Sequence, residues 1–206
     1  MIEAFLTAFA TLFVMIDPVG VAPLFASLTQ GAKLRRRVAI AARGVAIGGA
    51  LLFLFGLLGD SILTGIGITV PAFRIAGGLM LFLLAVDMLF EKRHERRRHH
   101  AEAEVEAPDP SVFPLATPLI AGPGALTAMV LLVGQAETDP GGPLIVYAAL
   151  AATLALTFLA LVATELVERL LGETGIKVLT RIFGMLLGAL AVQFVLDGVR
   201  SFAATL

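Results

Sequence analysis

The chain has no cysteine, no tryptophan, one tyrosine and three histidines. Without cysteine there is no disulfide, no thiolate nucleophile and no cysteine-based metal site. His94, His99 and His100 all fall in one polar stretch, so no apolar run contains a histidine to serve as base or ligand. Charge is also scarce. Only 15% of the 206 residues are Asp, Glu, Lys or Arg, against about 25% in a soluble domain. A soluble bundle of buried helices is the alternative, but no segment shows a clear polar face. No Gly-x-Gly-x-x-Gly fingerprint follows a strand and no Walker loop is present, which leaves ATP-driven pumping by this chain unsupported. The first apolar run lacks a basic flank and continues through a Pro/Gly break, unlike a cleavable signal peptide.

What is abundant is apolar. Hydrophobic residues make up 58% of the chain, and the mean hydropathy is +0.95. A helix that spans a bilayer needs about 20 mostly apolar residues. Six runs qualify, roughly 4–29, 38–59, 71–90, 112–134, 143–164 and 178–197. Lipid offers no hydrogen-bond partners, so the expected fold is all-α and polytopic, with six transmembrane helices.

Charge sets the orientation. Of the 15 Lys and Arg, only Arg74 and Arg200 fall on one side of this arrangement. The rest lie on the other side, in or beside the first, third and fifth connections, from Lys33, Arg35, Arg36 and Arg37 to Arg169, Lys177 and Arg181. Connections rich in Lys and Arg stay cytoplasmic. Both termini and the Glu137/Asp139 loop are therefore expected outside, in a multi-pass cytoplasmic-membrane protein.

The six spans form a tandem repeat. Pro18 and Pro123 are 105 residues apart, as are Asp60 and Glu165, and Arg74-Ile75-Ala76-Gly77 returns as Arg181-Ile182-Phe183-Gly184 at a spacing of 107. Residues 1–90 form the first three-helix repeat and 111–206 the second. A repeat with an odd number of spans must return inverted, as in many secondary transporters. The linker, 91–110, is basic and then acidic. A solvated loop whose basic half meets anionic lipid is the simple reading, with metal sensing by its histidines as the rival.

The first helix of each repeat is broken. Asp17-Pro18-Val19-Gly20-Val21-Ala22-Pro23 interrupts the first, and Pro118-Leu119-Ile120-Ala121-Gly122-Pro123-Gly124 the fourth. Proline lacks the N–H and glycine costs backbone entropy, so both break helices. Paired breaks in corresponding places point to a transporter's binding site. Each restarted helix would present N–H groups and a positive dipole end to an anion such as an amino acid's carboxylate. Gly20, Gly122 and Gly124 would let a ligand approach the backbone. Asp17 is the one acid well inside a span. It is a candidate to pair with a substrate ammonium or to hold a coupling Na⁺ or H⁺, or it simply caps the following helix. Thr117 and Thr127 flank the second break and offer hydroxyls. Gln193 is either a substrate contact or an interhelical hydrogen bond. Arg74 and Arg181 read as helix-end anchors, Asp60 and Glu165 as solvated helix ends, and Gly48-Gly49 and Gly77-Gly78 as close-packing points.

The stretch from Phe13 to Phe25, the stretch Pro114 to Ala125 with its Thr117-Pro118 and Gly122-Pro123-Gly124, and Gly188 to Phe194 together resemble the MarC family. That resemblance implies six helices in a bacterial or archaeal inner membrane, and similarity to transporters of small neutral amino acids. The expectation is a secondary transporter of such solutes, coupled to H⁺ or Na⁺. It needs no cofactor and engages the lipid bilayer and no nucleic acid, with association of copies an open possibility. A passive channel would need a continuous polar lining that these helices do not offer. A membrane enzyme would need a nucleophile with a base, a metal cluster or an acid pair, and Asp17 has no second buried acid.

Overall fold

The computed structural model describes residues 1–90, 109–137 and 139–204; the histidines of the linker lie outside the described residues. Eight helical segments occur among them: α1 (Ile2–Ile16), α2 (Pro18–Leu28), α3 (Leu34–Gly65), α4 (Val70–Leu89), α5 (Ser111–Ile120), α6 (Pro123–Ala136), α7 (Gly142–Val162) and α8 (Thr164–Ala203). No strand occurs among the described residues. Ile2–Leu28, Leu34–Gly59, Val70–Leu89, Gly142–Val162 and Thr174–Ala203 are each long and apolar enough to cross a membrane. The pair α5 and α6, bent by 56° at a short break, makes a sixth. The expected all-α polytopic fold is therefore present, with the first and fourth spans broken.

Both breaks follow from proline chemistry. Asp17 adopts φ 55° and ψ 66°, the left-handed region, which Asp tolerates better than most residues. Its N–H donates to the Phe13 carbonyl at 2.8 Å and closes α1. Pro18 then takes the first position of α2, where a missing N–H costs nothing. In the fourth span, Phe113 and Thr117 are extended at φ −131°, ψ 127° and φ −135°, ψ 122°. Each precedes a proline, Pro114 or Pro118, whose ring disfavours helical geometry in the residue before it. Gly122 is also extended, at φ −78° and ψ 165°, and Pro123 opens α6.

Packing places the broken spans inside. An 18-residue apolar stretch of the span Ile2–Leu28 is 56% buried, against 28–33% in the four unbroken spans. Leu12, Ile16, Phe25, Leu115, Leu119, Ile120 and Met129 are fully buried. Exposed Leu54, Leu57, Leu79, Leu83, Met185 and Leu186 cover the outside of α3, α4 and α8, a surface suited to lipid rather than water. Glycines set the helix distances. A Cβ on Gly78 would stand 2.8 Å from the Ala191 carbonyl oxygen, and one on Gly198 2.7 Å from Ile75, so α4 and α8 touch almost backbone to backbone. On α3, Gly44 and Gly48 receive Leu115 and Ile120 of α5.

Several contacts exchange when the halves are exchanged, although α6 on α7 and α1 on α6 do not. α4 packs on α8; α1 packs on α7 as α5 packs on α3; α2 packs on α7 and α8 as α6 packs on α3 and α4. α8 is longer than its apolar run because a residue in the left-handed range, Gly172 at φ 61°, divides it. Its first part, with exposed Leu166 and Leu170, precedes the span.

Candidate functional site

Asp17 is 2% exposed and belongs to two helices at once. Its backbone ends α1, and its Oδ1 accepts the Gly20 N–H at 3.0 Å, capping α2. The Val21 N–H donates to the Asp17 carbonyl at 3.0 Å. The carboxylate lies directly over Gly20: a Cβ there would collide with Asp17 Oδ2. The space at Gly20 is thus taken by the protein's own carboxylate. Pro18, Gly20, Val21 and Ala22 are buried with it. Two backbone acceptors flank this point. Pro18 and Pro23 have no N–H, so the Val14 and Val19 carbonyls, four residues before each, lose their helical donor.

The second break differs in charge and in exposure. Gly122 has no side chain to cap α6, so the first-turn N–H groups of Gly124 and Ala125 lack the carboxylate that α2 has. The Ala121 N–H donates to the Ala116 carbonyl at 2.8 Å and the Leu126 N–H to the Gly122 carbonyl at 3.0 Å. A Cβ on Gly122 would lie 2.7 Å from the Pro118 carbonyl oxygen. Thr117 and Pro123 are exposed, while Pro118, Gly122 and Gly124 are half-buried.

The two breaks adjoin. A Cβ on Gly124 would stand 3.3 Å from Met15 Sδ and 2.7 Å from Leu84 Cδ2. Met15 is two residues before Asp17, so the opening turn of α6 packs beside the end of α1, with α4 behind it. Thr127 is buried one turn further on, its methyl group 2.6 Å from where a Cβ on Gly77 would be. Gln193 is not part of this group. It sits on an exposed face of α8 and its amide donates to Asp197 at 2.9 Å. Among the described residues no group of three or more His, Asp or Glu is placed to hold a metal ion.

Charge at the two ends of the bundle is distributed unequally. Arg37 Nη1 meets Glu165 Oε1 at 2.9 Å, and Arg43 Nη1 meets Asp109 Oδ2 at 2.7 Å. Asp109 Oδ1 also accepts from the Ser111 hydroxyl at 2.6 Å and from its N–H at 3.1 Å. The Ser111 hydroxyl bond, then its N–H, then Arg43 hold the Asp109 carboxyl below its ordinary value. Glu165 is the solvated helix end that the sequence suggests, 85% exposed, and it also meets Arg37 across 128 residues. Opposite charges on one membrane face were the only signal for such pairs. At the other end, a cavity of about 430 Å³ opens between α1, α6 and α7, lined by Ala4, Thr7, Leu132, Gln135, Asp139 and Val146 among others. Arg74 at this end is half-buried, its Nη1 3.5 Å from Ser201 Oγ.

A bundle of membrane-spanning helices with two interrupted spans meeting inside it defines a polytopic integral membrane protein. The chain belongs to the MarC family of integral membrane proteins, whose family model matches residues 2–203. It is 36% identical over 200 residues to the UPF0056 membrane protein MJ1677 of Methanocaldococcus jannaschii, covering 97% of each chain. It is 33% identical to the UPF0056 inner membrane protein YhgN of Escherichia coli K12, covering 95% of each. It is 34% identical to the UPF0056 membrane protein YvbG of Bacillus subtilis, covering 93% of this chain and 92% of that one. No solved structure matches the chain. The protein is accordingly a multi-pass protein of the cytoplasmic membrane.

Proposed function

We propose that the chain is a secondary transporter of small neutral amino acids or similar small polar solutes, coupled to H⁺ or Na⁺. It is built in this reading as two inverted three-helix repeats, with the basic end in the cytoplasm and both termini outside. The observation that carries the reading is Asp17, a carboxylate 2% exposed in a broken span, beside the uncapped start of α6. A zwitterion needs both ends satisfied. Asp17 offers a fixed negative charge for an ammonium, and the Gly124 and Ala125 N–H groups offer a positive helix end for a carboxylate. The coupling ion in this reading is Na⁺ at the Asp17 carboxylate or a proton on it. The reciprocal packing of the two halves supports the inverted repeat, and the crowding of Lys and Arg at one end supports the orientation.

Radiolabelled glycine, alanine and serine uptake into proteoliposomes tests it, with Na⁺ and H⁺ gradients imposed separately. The reading expects accumulation under one gradient and its loss in Asp17→Asn. Absence of flux of all three solutes under every gradient would remove the amino-acid reading. Unchanged uptake and ion dependence in Asp17→Asn would remove Asp17 from the site.

A further inference from the structure

The first half of the chain contributes the arginine of both ion pairs at the basic end. Arg37 and Arg43 are on α3, in the first half; Glu165 lies at the start of α8, in the second, and Asp109 ends the linker just before α5. The Arg37 side chain is 17% exposed and its partner Glu165 85%, so the pair joins a largely covered arginine to a solvated carboxylate. The cavity of about 430 Å³ also lies between the halves, with α1 on one side and α6 and α7 on the other. It sits at the opposite end. α7 starts at Gly142 on the cavity rim and ends at Val162, three residues before Glu165, a helix about 30 Å long. Two ion pairs thus close one face, and the cavity opens at the other, where α4 and α8 still hold the halves together through the Gly198–Ile75 contact.

We propose that the Arg37–Glu165 and Arg43–Asp109 pairs are a latch that ties α3 to the second half and to the end of the linker before it. It keeps the basic face closed while the cavity admits solute from the opposite face, and it must break for the basic face to open. This inference rests on the transport reading, since only a two-faced cycle requires such a latch. A device of this kind needs contacts strong enough to bias two states and weak enough to be exchanged. Exposed ion pairs meet that condition, because water and salt compete for each partner. Arg37, Glu165, Arg43 and Asp109 also need no ligand to be tested.

The chain has no cysteine, so one introduced cysteine is the sole thiol. Ala4→Cys reports on the cavity. Ala116→Cys, at a position 0% exposed on α5, reports on the interior between the pairs and the second break. A membrane-impermeant maleimide is applied to either face of sealed vesicles. Glu165→Gln should label Ala116→Cys faster from the basic face and Ala4→Cys slower from the other. Each change should be about 1.5- to 5-fold, the factor that the measured range for exposed pairs converts to. The swap Arg37→Glu with Glu165→Arg should restore the native pattern. Unchanged labelling in Glu165→Gln would overturn the latch. So would faster labelling of both reporters, which means a loosened bundle, and so would a swap that fails to restore. The labelling uses no substrate, so the two readings separate. Reciprocal labelling without flux of glycine, alanine or serine keeps the latch and removes the amino-acid reading. Flux without a labelling shift removes the latch alone.

Discussion

Asp17 Oδ1 accepts the Gly20 N–H at 3.0 Å from a left-handed backbone at φ 55°. One residue thus ends a helix, starts the next and brings a carboxylate into the membrane interior. These tasks separate by substitution. Asn keeps the cap and tolerates the left-handed backbone, so Asp17→Asn should change thermal stability in detergent little while abolishing coupled uptake. Asp17→Ala loses the cap, about 0.5–2 kcal/mol, and adds left-handed strain of about 1–2 kcal/mol. A melting curve for each variant checks the order. Equal melting of Asn and Ala variants would show that the cap contributes nothing.

Gly20 and Gly124 should differ although both are glycines in breaks. At Gly20 a Cβ meets the fixed Asp17 carboxylate; at Gly124 it meets Leu84 Cδ2 and Met15 Sδ, the ends of flexible side chains. Gly20→Ala should cost about 1–3 kcal/mol by overpacking and disturb the Asp17 cap, while Gly124→Ala should cost less. Chemical denaturation of both in one detergent measures the difference.

The same contrast applies between α4 and α8. Gly78→Ala pushes a methyl group to 2.8 Å from the Ala191 carbonyl oxygen, backbone that cannot yield cheaply. Gly188→Ala meets only Ala85 Cβ at 3.7 Å, an ordinary contact. Gly78→Ala should lower the melting temperature and Gly188→Ala should leave it near the native value. The reverse order would mean that this helix pair does not pack as described.

Asp109 gives a pH expectation with a definite sign. Its carboxyl is lowered by the Ser111 hydroxyl, the Ser111 N–H and Arg43. A lowered acid contributes stability above its unfolded value, near pH 4, and loses it as pH falls through the lowered value. Closure of the basic end should therefore be flat between about pH 5 and 8 and weaken only below about 4. Any pH dependence of uptake in the upper window must then come from another group. Ser111→Ala removes the 2.6 Å hydroxyl bond and should move the carboxyl back toward its ordinary value. An NMR titration of Asp109 in native and variant protein reads this directly.

Much of the fold was legible because lipid narrows the choices. Six apolar runs with no polar face fix helices, and Pro-Gly clusters inside two of them fix where those helices fail. Both statements depend on local backbone chemistry, which the order of residues contains. Lys and Arg crowding likewise marked one end before any packing was known. The helix ends were less legible. α3 runs on to Gly65, past the expected residue 59, and the last span begins at Thr174, before the expected 178. Composition marks where apolar residues stop, whereas a helix continues while its backbone bonds remain satisfied.

The site was half legible. Asp17 stood out because a lone acid in an apolar run is costly, and the sequence by itself determined that it would break a helix beside Pro18. Whether it capped α2, and that its carboxylate would fill the space above Gly20, was decided by the left-handed turn. Met15 carried no signal at all. Its place beside Gly124 exists because α1 and α6, segments more than a hundred residues apart, pack on each other and on α7. Arg37 and Glu165 were visible only as charges on one face. Gln193, polar within an apolar run, fell on the exposed side of α8 because helix rotation is set by the glycine contacts of Gly78, Gly184 and Gly198 with their neighbours. Local chemistry thus determined which residues interrupt, cap or carry charge. Only tertiary packing, which is a sum over distant contacts, decided which of them meet.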